Sequence, residues 1–368
     1  MKAGDEVGLR HGEPVDVAPG KIEDALRAIW REAAHVQGGS VSRACLLTLI
    51  GVAPDPYAHE EVGAALDAAS RRMPSRTILL AVSPDEPEAL RATINTNFHE
   101  EGANGPRQLY SEEIHLHAGG AAVRRLANLV QTLRVTDVPA VLYWPGDAPA
   151  VDDPALELLD GVDRLVVDSR DYRDARALVA LHRLAKGRVT VGDLTWQRLF
   201  AWRTLIAHLF DGPPFAEYLA QLDRVTLTRS GANATGTYLL AGWLASRLGW
   251  SQPRSWESDE DSEAWHLLRP DGRPVVLMIR SAPGFHAGLN RVGLESAHHD
   301  RPVSVMLERG ARVFKLRGTG MPPRTRTLTD FEDEDLLVQA LRSPEEDYVI
   351  TQALAMTDAL LSAQEGHR

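Results

Sequence analysis

Apolar positions along the first part of the chain predict strands that alternate with helices. Continuous apolar runs predict buried strands at residues 44–50, 77–82, 140–144 and 164–168. Apolar side chains at three- and four-residue spacing predict helices at residues 21–35, 59–72 and 121–133. A strict alternation of side chains at 109–117 predicts one half-exposed strand. This order is typical of a layered, mainly parallel α/β sheet.

The pattern changes after Asp168. Helices are predicted at residues 174–184, 194–210, 238–248, 333–341 and 346–361. Short strands are predicted at residues 224–228, 264–268, 274–279, 303–307 and 312–316. We therefore predict a mobile tail over 1–20, an N-terminal mainly parallel α/β domain over 21–168 and a C-terminal mixed α+β domain over 169–368.

The charge balance narrows the classes of partner. The 368 residues carry 40 Lys and Arg against 51 Asp and Glu, a net charge of −11. A nucleic-acid binder needs a basic face that displaces phosphate counterions, and an anionic membrane surface attracts the same charge. No apolar run approaches the roughly 18 residues of a membrane span, and the charged start does not resemble a signal peptide. We expect a cytoplasmic protein without nucleic-acid or membrane partners.

Two pairs of histidines are candidate metal ligands. His115 and His117 are two residues apart on one predicted strand face, and His298 and His299 are adjacent. A metal site needs three or four converging ligands, and neither pair stands at a recognisable spacing from a carboxylate. Polar residues on a solvated strand explain the pattern more simply, so no metal is expected.

A glycine pair offers the one candidate for phosphate binding. Gly119 and Gly120 lie between a predicted strand and a predicted helix, with Arg124 and Arg125 nearby to supply positive charge. The segment lacks the third glycine of a dinucleotide fingerprint and the Lys-Ser/Thr of a phosphate-binding loop. A tight turn between strand and helix is the alternative interpretation.

No catalytic constellation emerges from the sequence. Ser230 is not framed by the glycines of a nucleophile elbow. Cys45, the single cysteine, lies in an apolar run, where we expect a buried and unreactive thiol. We expect neither catalytic nor cofactor-binding residues.

The tryptophan-bearing helix at 194–210 carries more information. Its apolar side chains cover nearly the whole circumference, which is typical of a buried helix, and Asp193 stands at its predicted N-cap. We expect Trp196 and Phe200 to be core residues. Arg203 would then need a carboxylate partner, for which the candidates are Asp168, Asp193 and Asp211.

Five segments in order resemble one known family. They are 74–76, 138–146, 163–169, Asp193–Asp211 with Trp196, Trp202 and Arg203, and 242–248 with Trp243 and Arg247. Together they are similar to the motifs of the glucose-6-phosphate dehydrogenase assembly protein family, OpcA. The resemblance runs from about residue 41 to the C-terminal helices.

The resemblance implies a non-catalytic partner that binds glucose-6-phosphate dehydrogenase and promotes its active oligomer in the oxidative pentose phosphate pathway. Cyanobacterial members are linked to thioredoxin control, but the single Cys45 excludes a disulfide within this sequence. We expect the partner surface in exposed loops, with Trp144, Pro145, Gly146 and Asp147 as the candidate. The alternative is a phosphosugar-binding enzyme or sensor that uses the Gly119-Gly120 turn.

Overall fold

The chain folds into two units, each built on its own mixed sheet. The computed structural model describes residues 8–11, 13–37, 45–53, 56–100, 107–150, 153–212, 215–284, 286–296, 302–327, 333–342 and 346–365. Unit 1 comprises Met1–Val167, Ala185–Val191 and Asp333–Arg342. Unit 2 comprises Asp168–Leu184, Gly192–Glu332 and Ser343–Arg368.

The sheet of unit 1 has a parallel centre with antiparallel strands at one side. Its strands are β1 (Gly8–His11), β2 (Val15–Val17), β3 (Leu47–Ala53), β4 (Ser75–Ser83), β5 (Ala89–Glu100), β6 (Arg107–Gly119), β7 (Ala140–Trp144), β8 (Arg164–Val167) and β9 (Thr190–Asp193). They lie in the order β1-β5-β6-β4-β3-β7-β8-β9, and β2 also pairs with β5. The helices along this part of the chain are α1 (Ile22–Gln37), α2 (Pro56–Arg72), α3 (Leu126–Leu133) and α4 (Ala175–Ala185), of which α4 belongs to unit 2 except for its last residue.

The strand order identifies the architecture of unit 1. Numbered along the chain without the antiparallel strands, β6-β4-β3-β7-β8-β9 reads 3-2-1-4-5-6. This is the order of the doubly wound Rossmann fold, in which ligands bind outside the carboxyl ends of the strands. β3 is buried along its whole length, as expected of a strand covered on both faces.

One crossover of this fold differs from the usual pattern. The helix α2 connects β3 to β4 and packs on β3, β4 and β6. The connections from β3 to β4 and from β4 to β6 proceed in the same direction across the sheet. Right-handed crossovers in the same direction place their helices on the same sheet face, so a helix between β4 and β6 would lie beside α2. The connection instead contains β5, which pairs antiparallel with β6. The sheet face beside α2 therefore keeps an open cleft at β5 and β6.

The sheet of unit 2 is mostly antiparallel. Its strands are β10 (Arg224–Ser230), β11 (Ser255–Ser258), β12 (Ser262–Leu268), β13 (Pro274–Ser281), β14 (Gly288–Ser296), β15 (Val303–Arg309), β16 (Val313–Gly318) and β17 (Met321–Thr327). They lie in the order β11-β12-β13-β10-β14-β15-β16-β17, and β10 and β13 are parallel. The remaining helices are α5 (Leu194–Arg198), α6 (Phe200–Leu209), α7 (Thr235–Arg247), α8 (Asp333–Arg342) and α9 (Glu346–Glu365), of which α8 belongs to unit 1.

The core of unit 2 depends on a close approach of two helices. A Cβ atom added to Gly242 on α7 would lie within about 3 Å of the backbone of α9 at Ala353 and Thr357. A glycine is therefore required for α7 and α9 to pack at this distance. Trp265 on β12 is fully buried, and its indole N–H donates to the Leu360 carbonyl at 2.8 Å.

The structure confirms the α/β class and corrects several elements. The strand predicted at 44–50 begins only at Leu47, and the preceding Leu46 is exposed and not part of the buried strand. The helix predicted at 121–133 starts as a 3₁₀ segment, Gly120–Arg125. The helix predicted at 194–210 is divided at Leu199 into α5 and α6. The prediction lacked seven of the observed strands: β1, β2, β5, β9, β11, β14 and β17.

Candidate functional site

A fully buried carboxylate begins the tryptophan-bearing segment. Asp193 Oδ1 accepts hydrogen bonds from the backbone N–H groups of Thr195 and Ser169 at 3.0 Å, and Oδ2 accepts from the Ser169 hydroxyl at 2.6 Å. The predicted N-cap is confirmed. Burial raises the pKa of Asp193 to about 6; the charge of Asp168 adds to the rise, and the hydrogen bonds oppose it.

Asp168 fixes the other end of α5. The Nη1 and Nη2 atoms of Arg198 donate to the two carboxylate oxygens of Asp168 at 2.7 and 2.9 Å. This bidentate geometry orients both side chains. Sequence reasoning missed Arg198, whose only signal is its place at the end of a short helix capped by Asp193.

Arg203 packs against aromatic rings. Its guanidinium carbon lies 3.8 Å from the centre of the Trp196 ring and 5.9 Å from that of Phe200. Its Nη2 also donates to the Trp196 carbonyl at 3.4 Å. The aromatic faces attract the guanidinium cation, an interaction that the sequence analysis did not predict. A contact between Arg203 and a carboxylate stays a prediction.

The aromatic residues of α5 and α6 have different environments. Trp196 is 1% exposed, which confirms the expected core position, and Trp202 is 3% exposed. Phe200 is 39% exposed, so its assignment to the core is wrong. The Trp202 ring meets the Phe314 ring of β16 edge to face, with centroids 4.7 Å apart. The buried tryptophans thus hold α6 in place, and Phe200 faces outward.

The outward side of α6 forms one wall of a groove in unit 2. The groove has a volume of about 760 Å³, and strands β15, β16 and β17 form its other surfaces. Its apolar lining includes Phe200, Leu205, Leu209, Phe215, Leu307, Phe314 and Leu316. We refer to it as the α6–β17 groove. Its outer border is β17, the last strand in the sheet order, which contains the exposed Pro322 and Pro323.

The formally charged residues that line the α6–β17 groove are both basic. They are Arg324 and Arg326, and the lining contains no acidic side chain among the described residues. His208 also lines the groove, and its Nε2 lies 3.9 Å from the carboxylate of the nearby Asp211. Arg324 is opposite Leu316 in the sheet register, and Arg326 is opposite Phe314. Directly opposite residues of an antiparallel pair project from the same face. The groove therefore changes from apolar to basic toward the edge of the sheet.

The second tryptophan-bearing segment lies on α7. Trp243 is half-buried and Arg247 is exposed, where its Nη1 donates to Gln352 of α9 at 3.3 Å. The neighbouring Gly242 makes the close contact with α9 described above. This segment therefore serves the packing of α7 on α9.

The loop expected to form the partner surface is less exposed than predicted. Trp144 is the last residue of β7 and is only 4% exposed, because it completes a buried strand. Pro145 and Gly146 are half-buried, and Asp147 is exposed. The expectation of an exposed aromatic is wrong, and a contact between this loop and a partner remains a prediction.

The first turn of the Rossmann arrangement departs from the dinucleotide pattern. Dinucleotide-binding proteins carry Gly-x-Gly-x-x-Gly where the first strand leads into the first helix. Here the sequence from the end of β3 to the first residue of α2 reads Gly51-Val52-Ala53-Pro54-Asp55-Pro56, so only the first glycine of that pattern is present. Proline offers no backbone N–H to a phosphate, and an aspartate repels one.

A cleft of about 400 Å³ opens beside α2, where the crossover helix is replaced by β5. The rings of His59 and His115 lie 5.8 Å apart, and His117 Nε2 lies 3.4 Å from Glu86. Burial, aided by the nearby His59, lowers the pKa of His115 below its usual value of 6.5. Within the described parts of the chain, no group of three His, Cys, Asp or Glu residues could hold a metal ion.

The glycine turn considered for phosphate binding is closely packed. A Cβ atom on Gly120, whose φ is +53°, would lie 2.9 Å from the Glu86 carbonyl oxygen. A Cβ atom on Gly119 would lie closer still to the Pro87 carbonyl oxygen. Arg125 forms an ion pair with Glu88. Carbonyl oxygens and carboxylates therefore surround the turn, an arrangement that favours the tight-turn interpretation.

The remaining candidates from the sequence are Cys45 and the His298-His299 pair. Cys45 is half-buried rather than buried, with its Sγ 3.4 Å from the Leu47 carbonyl oxygen. His298 and His299 lie outside the described residues.

No helix in the described ranges is both long and apolar enough to span a bilayer.

Comparison with known proteins decides the family. Residues 66–185 match the model for the N-terminal domain of the glucose-6-phosphate dehydrogenase subunit, and residues 189–354 match the model for its C-terminal domain. Both models carry the name OpcA. The chain belongs to this family.

Curated OpcA proteins are similar to this chain over part of their length. The OpcA of Nostoc punctiforme is 28% identical over 222 residues, which are 59% of this chain and 47% of that protein. The OpcA of Synechocystis is 24% identical over 268 residues, which are 72% of this chain and 55% of that protein. Both names refer to the OxPP cycle, and the matches tie the family to that pathway. The chain spans about half the length of these curated relatives.

A solved structure supports the fold assignment. An NAD-binding oxidoreductase from Klebsiella pneumoniae superposes with a TM-score of 0.51 at 11% identity, covering 88% of this chain and 98% of that one. At this identity the likeness concerns the fold alone. It agrees with the strand order of unit 1.

Proposed function

We propose that this protein is a non-catalytic partner that binds glucose-6-phosphate dehydrogenase in the cytoplasm and promotes assembly of its active oligomer. The observation that carries the proposal is the match of both halves of the chain to models named for a subunit of that dehydrogenase. An effector of this kind raises the activity of its partner without a reaction of its own.

The strand order of unit 1 and the sequence after its first strand support the non-catalytic part of the proposal. A dehydrogenase of this fold needs a first turn that admits the pyrophosphate of its cofactor. Here that turn carries Ala53, Pro54, Asp55 and Pro56 in place of the glycine-rich pattern. By residue type, the two prolines lack the backbone N–H groups that would bind a pyrophosphate, and the aspartate has the wrong charge for one.

A paired assay tests the proposal. The purified protein alone, with glucose 6-phosphate and NADP, should give no turnover. Added to the dehydrogenase from the same organism, it should increase the rate and shift the dehydrogenase to a larger mass by light scattering after size-exclusion chromatography. Turnover by the isolated chain, or an unchanged rate and mass of the mixture, would overturn the proposal.

A further inference from the structure

The α6–β17 groove is an open apolar surface supported by a rigid wall. The Trp202–Phe314 contact joins its helix to its floor, and Arg203 lies near the rings of both Trp196 and Phe200. Soluble proteins seldom leave a concave apolar surface of this kind without a binding role. Its helical wall belongs to the segment that carries the family resemblance.

The charge of the groove indicates the chemistry of its occupant. The chain as a whole has a net charge of −11, yet Arg324, Arg326 and His208 are the charged or titratable residues that line the groove. The side chains of both arginines are exposed, on the same sheet face as Phe314 and Leu316. Complementary potentials select partners and accelerate their encounter.

We propose that the α6–β17 groove is the docking site for an amphipathic segment of the partner protein whose apolar side chains fill the groove and whose acidic side chains reach Arg324 and Arg326. This inference rests on the proposed function and assigns it a surface. The partner segment is defined by its chemistry: large apolar side chains in the groove and carboxylates at one border.

A charge reversal tests the basic border. Arg324→Glu/Arg326→Glu should lower the affinity for the dehydrogenase at least tenfold by isothermal titration calorimetry, and should weaken the salt dependence of binding. The matched control is Lys315→Glu/Arg317→Glu, which makes the same change of charge on the adjacent strand β16. Both control residues are exposed and alternate with Phe314 and Leu316, so they lie on the opposite face of the sheet.

Phe200→Ser tests the apolar wall without a change of charge. Because Phe200 is 39% exposed, the variant should keep the melting temperature within a few degrees while affinity falls about tenfold. Circular dichroism and melting temperature identify any variant that has lost the fold. A folded variant with parental affinity would contradict the assignment of this wall.

Cross-linking tests the identity of the occupant. Thr204 lines the groove, and a photoreactive amino acid placed there should cross-link to a peptide of the dehydrogenase that contains both apolar and acidic residues. A cross-link to a peptide of this chain, from the same or a second copy, would overturn the proposal. A cross-linked dehydrogenase peptide that lacks acidic residues would also overturn it.

The outcomes separate this inference from the function on which it rests. If the parent protein does not bind the dehydrogenase, the proposed function fails. If the parent binds and the Arg324→Glu/Arg326→Glu variant binds equally well, the groove proposal alone fails. Loss of binding only in the Lys315→Glu/Arg317→Glu control would place the interface on the opposite face and would also overturn it.

Discussion

The cleft beside α2 in unit 1 and the α6–β17 groove in unit 2 are both concave, but their linings differ in kind. The cleft combines three histidines with Glu86 and Arg91, so it mixes titratable groups of both signs. The groove is apolar with a basic border. The first resembles a site for a small polar molecule, and the second resembles a surface for part of another protein.

This difference shows that the fold of a unit does not determine what the unit binds. The Rossmann arrangement predicts a ligand at the carboxyl edge of unit 1, yet the residues of the first turn there are unsuited to a dinucleotide. The groove lies in a unit whose architecture makes no such prediction. Binding chemistry therefore has to be read from the side chains of each surface.

The largest expected effect concerns the support of the groove. Trp196→Ala should lower the free energy of unfolding of unit 2 by about 3–5 kcal/mol, because it leaves a cavity and removes the ring under Arg203. Urea denaturation followed by circular dichroism measures the change. Phe200→Ala, four residues later, is the control and should cost clearly less, since Phe200 is partly exposed. Equal costs would mean that Phe200 on α6 supports the fold as strongly as the buried Trp196 on α5, against their difference in exposure.

The next effect concerns pH and unit 2. The pKa of Asp193 is about 6 in the folded chain against an ordinary value of 3.8, so the folded state holds the proton more tightly. Stability should therefore fall as the pH rises from about 4 to about 6, with a slope of up to about 1.4 kcal/mol per pH unit. Asp193→Asn keeps the shape and the acceptor oxygen and should lack this slope. Parallel pH profiles of parent and variant would refute the assignment.

Unit 1 should respond to pH with the opposite sign. The pKa of His115 is lowered, so below pH 6.5 the unfolded chain takes up a proton that the folded chain excludes. The contribution of His115 should therefore destabilise the fold as the pH falls through this range. An NMR titration should place its midpoint below 6.5, and His115→Gln should reduce the loss of stability in acid. A midpoint above 6.5 would show that the cleft does not bury this imidazole.

The smallest expected effect is an absence of change. Millimolar NADP or glucose 6-phosphate should leave the melting temperature unaltered, because the sequence Gly51–Pro56 has prolines and an aspartate in place of the glycine pattern, and carbonyl oxygens crowd the Gly119-Gly120 turn. A ligand at 100 times its dissociation constant would add about 2.7 kcal/mol. A clear upward shift with either compound would make the cleft of unit 1 a ligand site and would remove the contrast with the groove.

The sequence predicted buried strands well and long-range pairing poorly. The strand at Ala140–Trp144 was predicted at its observed bounds because five consecutive apolar residues leave few alternatives. β5 was missed because Asn95, Thr96 and Asn97 interrupt its pattern, although β6 pairs with it along nearly its whole length. The break at Leu199 between α5 and α6 has no sequence signal, since leucine favours a helix.

The candidate site shows the same division. The N-cap role of Asp193 follows from local chemistry and could be predicted. The exposure of Phe200 could not be predicted, because a helix that is apolar on all sides predicts burial. The helix sequence does not show which of its sides the sheet leaves uncovered. The basic border depends on pairing between β16 and β17, which brings Arg324 and Arg326 beside Leu316 and Phe314.

The edge strand β17 has a further consequence for the behaviour of the protein at high concentration. An apolar groove next to an unprotected sheet edge invites copies of a chain to join edge to edge and form fibres. Because the N–H positions of consecutive strand residues point to opposite edges, the adjacent Pro322 and Pro323 remove one backbone donor from the open edge, and Arg324 and Arg326 repel the same strand of another copy. The residues that border the groove thus also protect the protein against aggregation, so substitutions there should be judged by solubility as well as by binding.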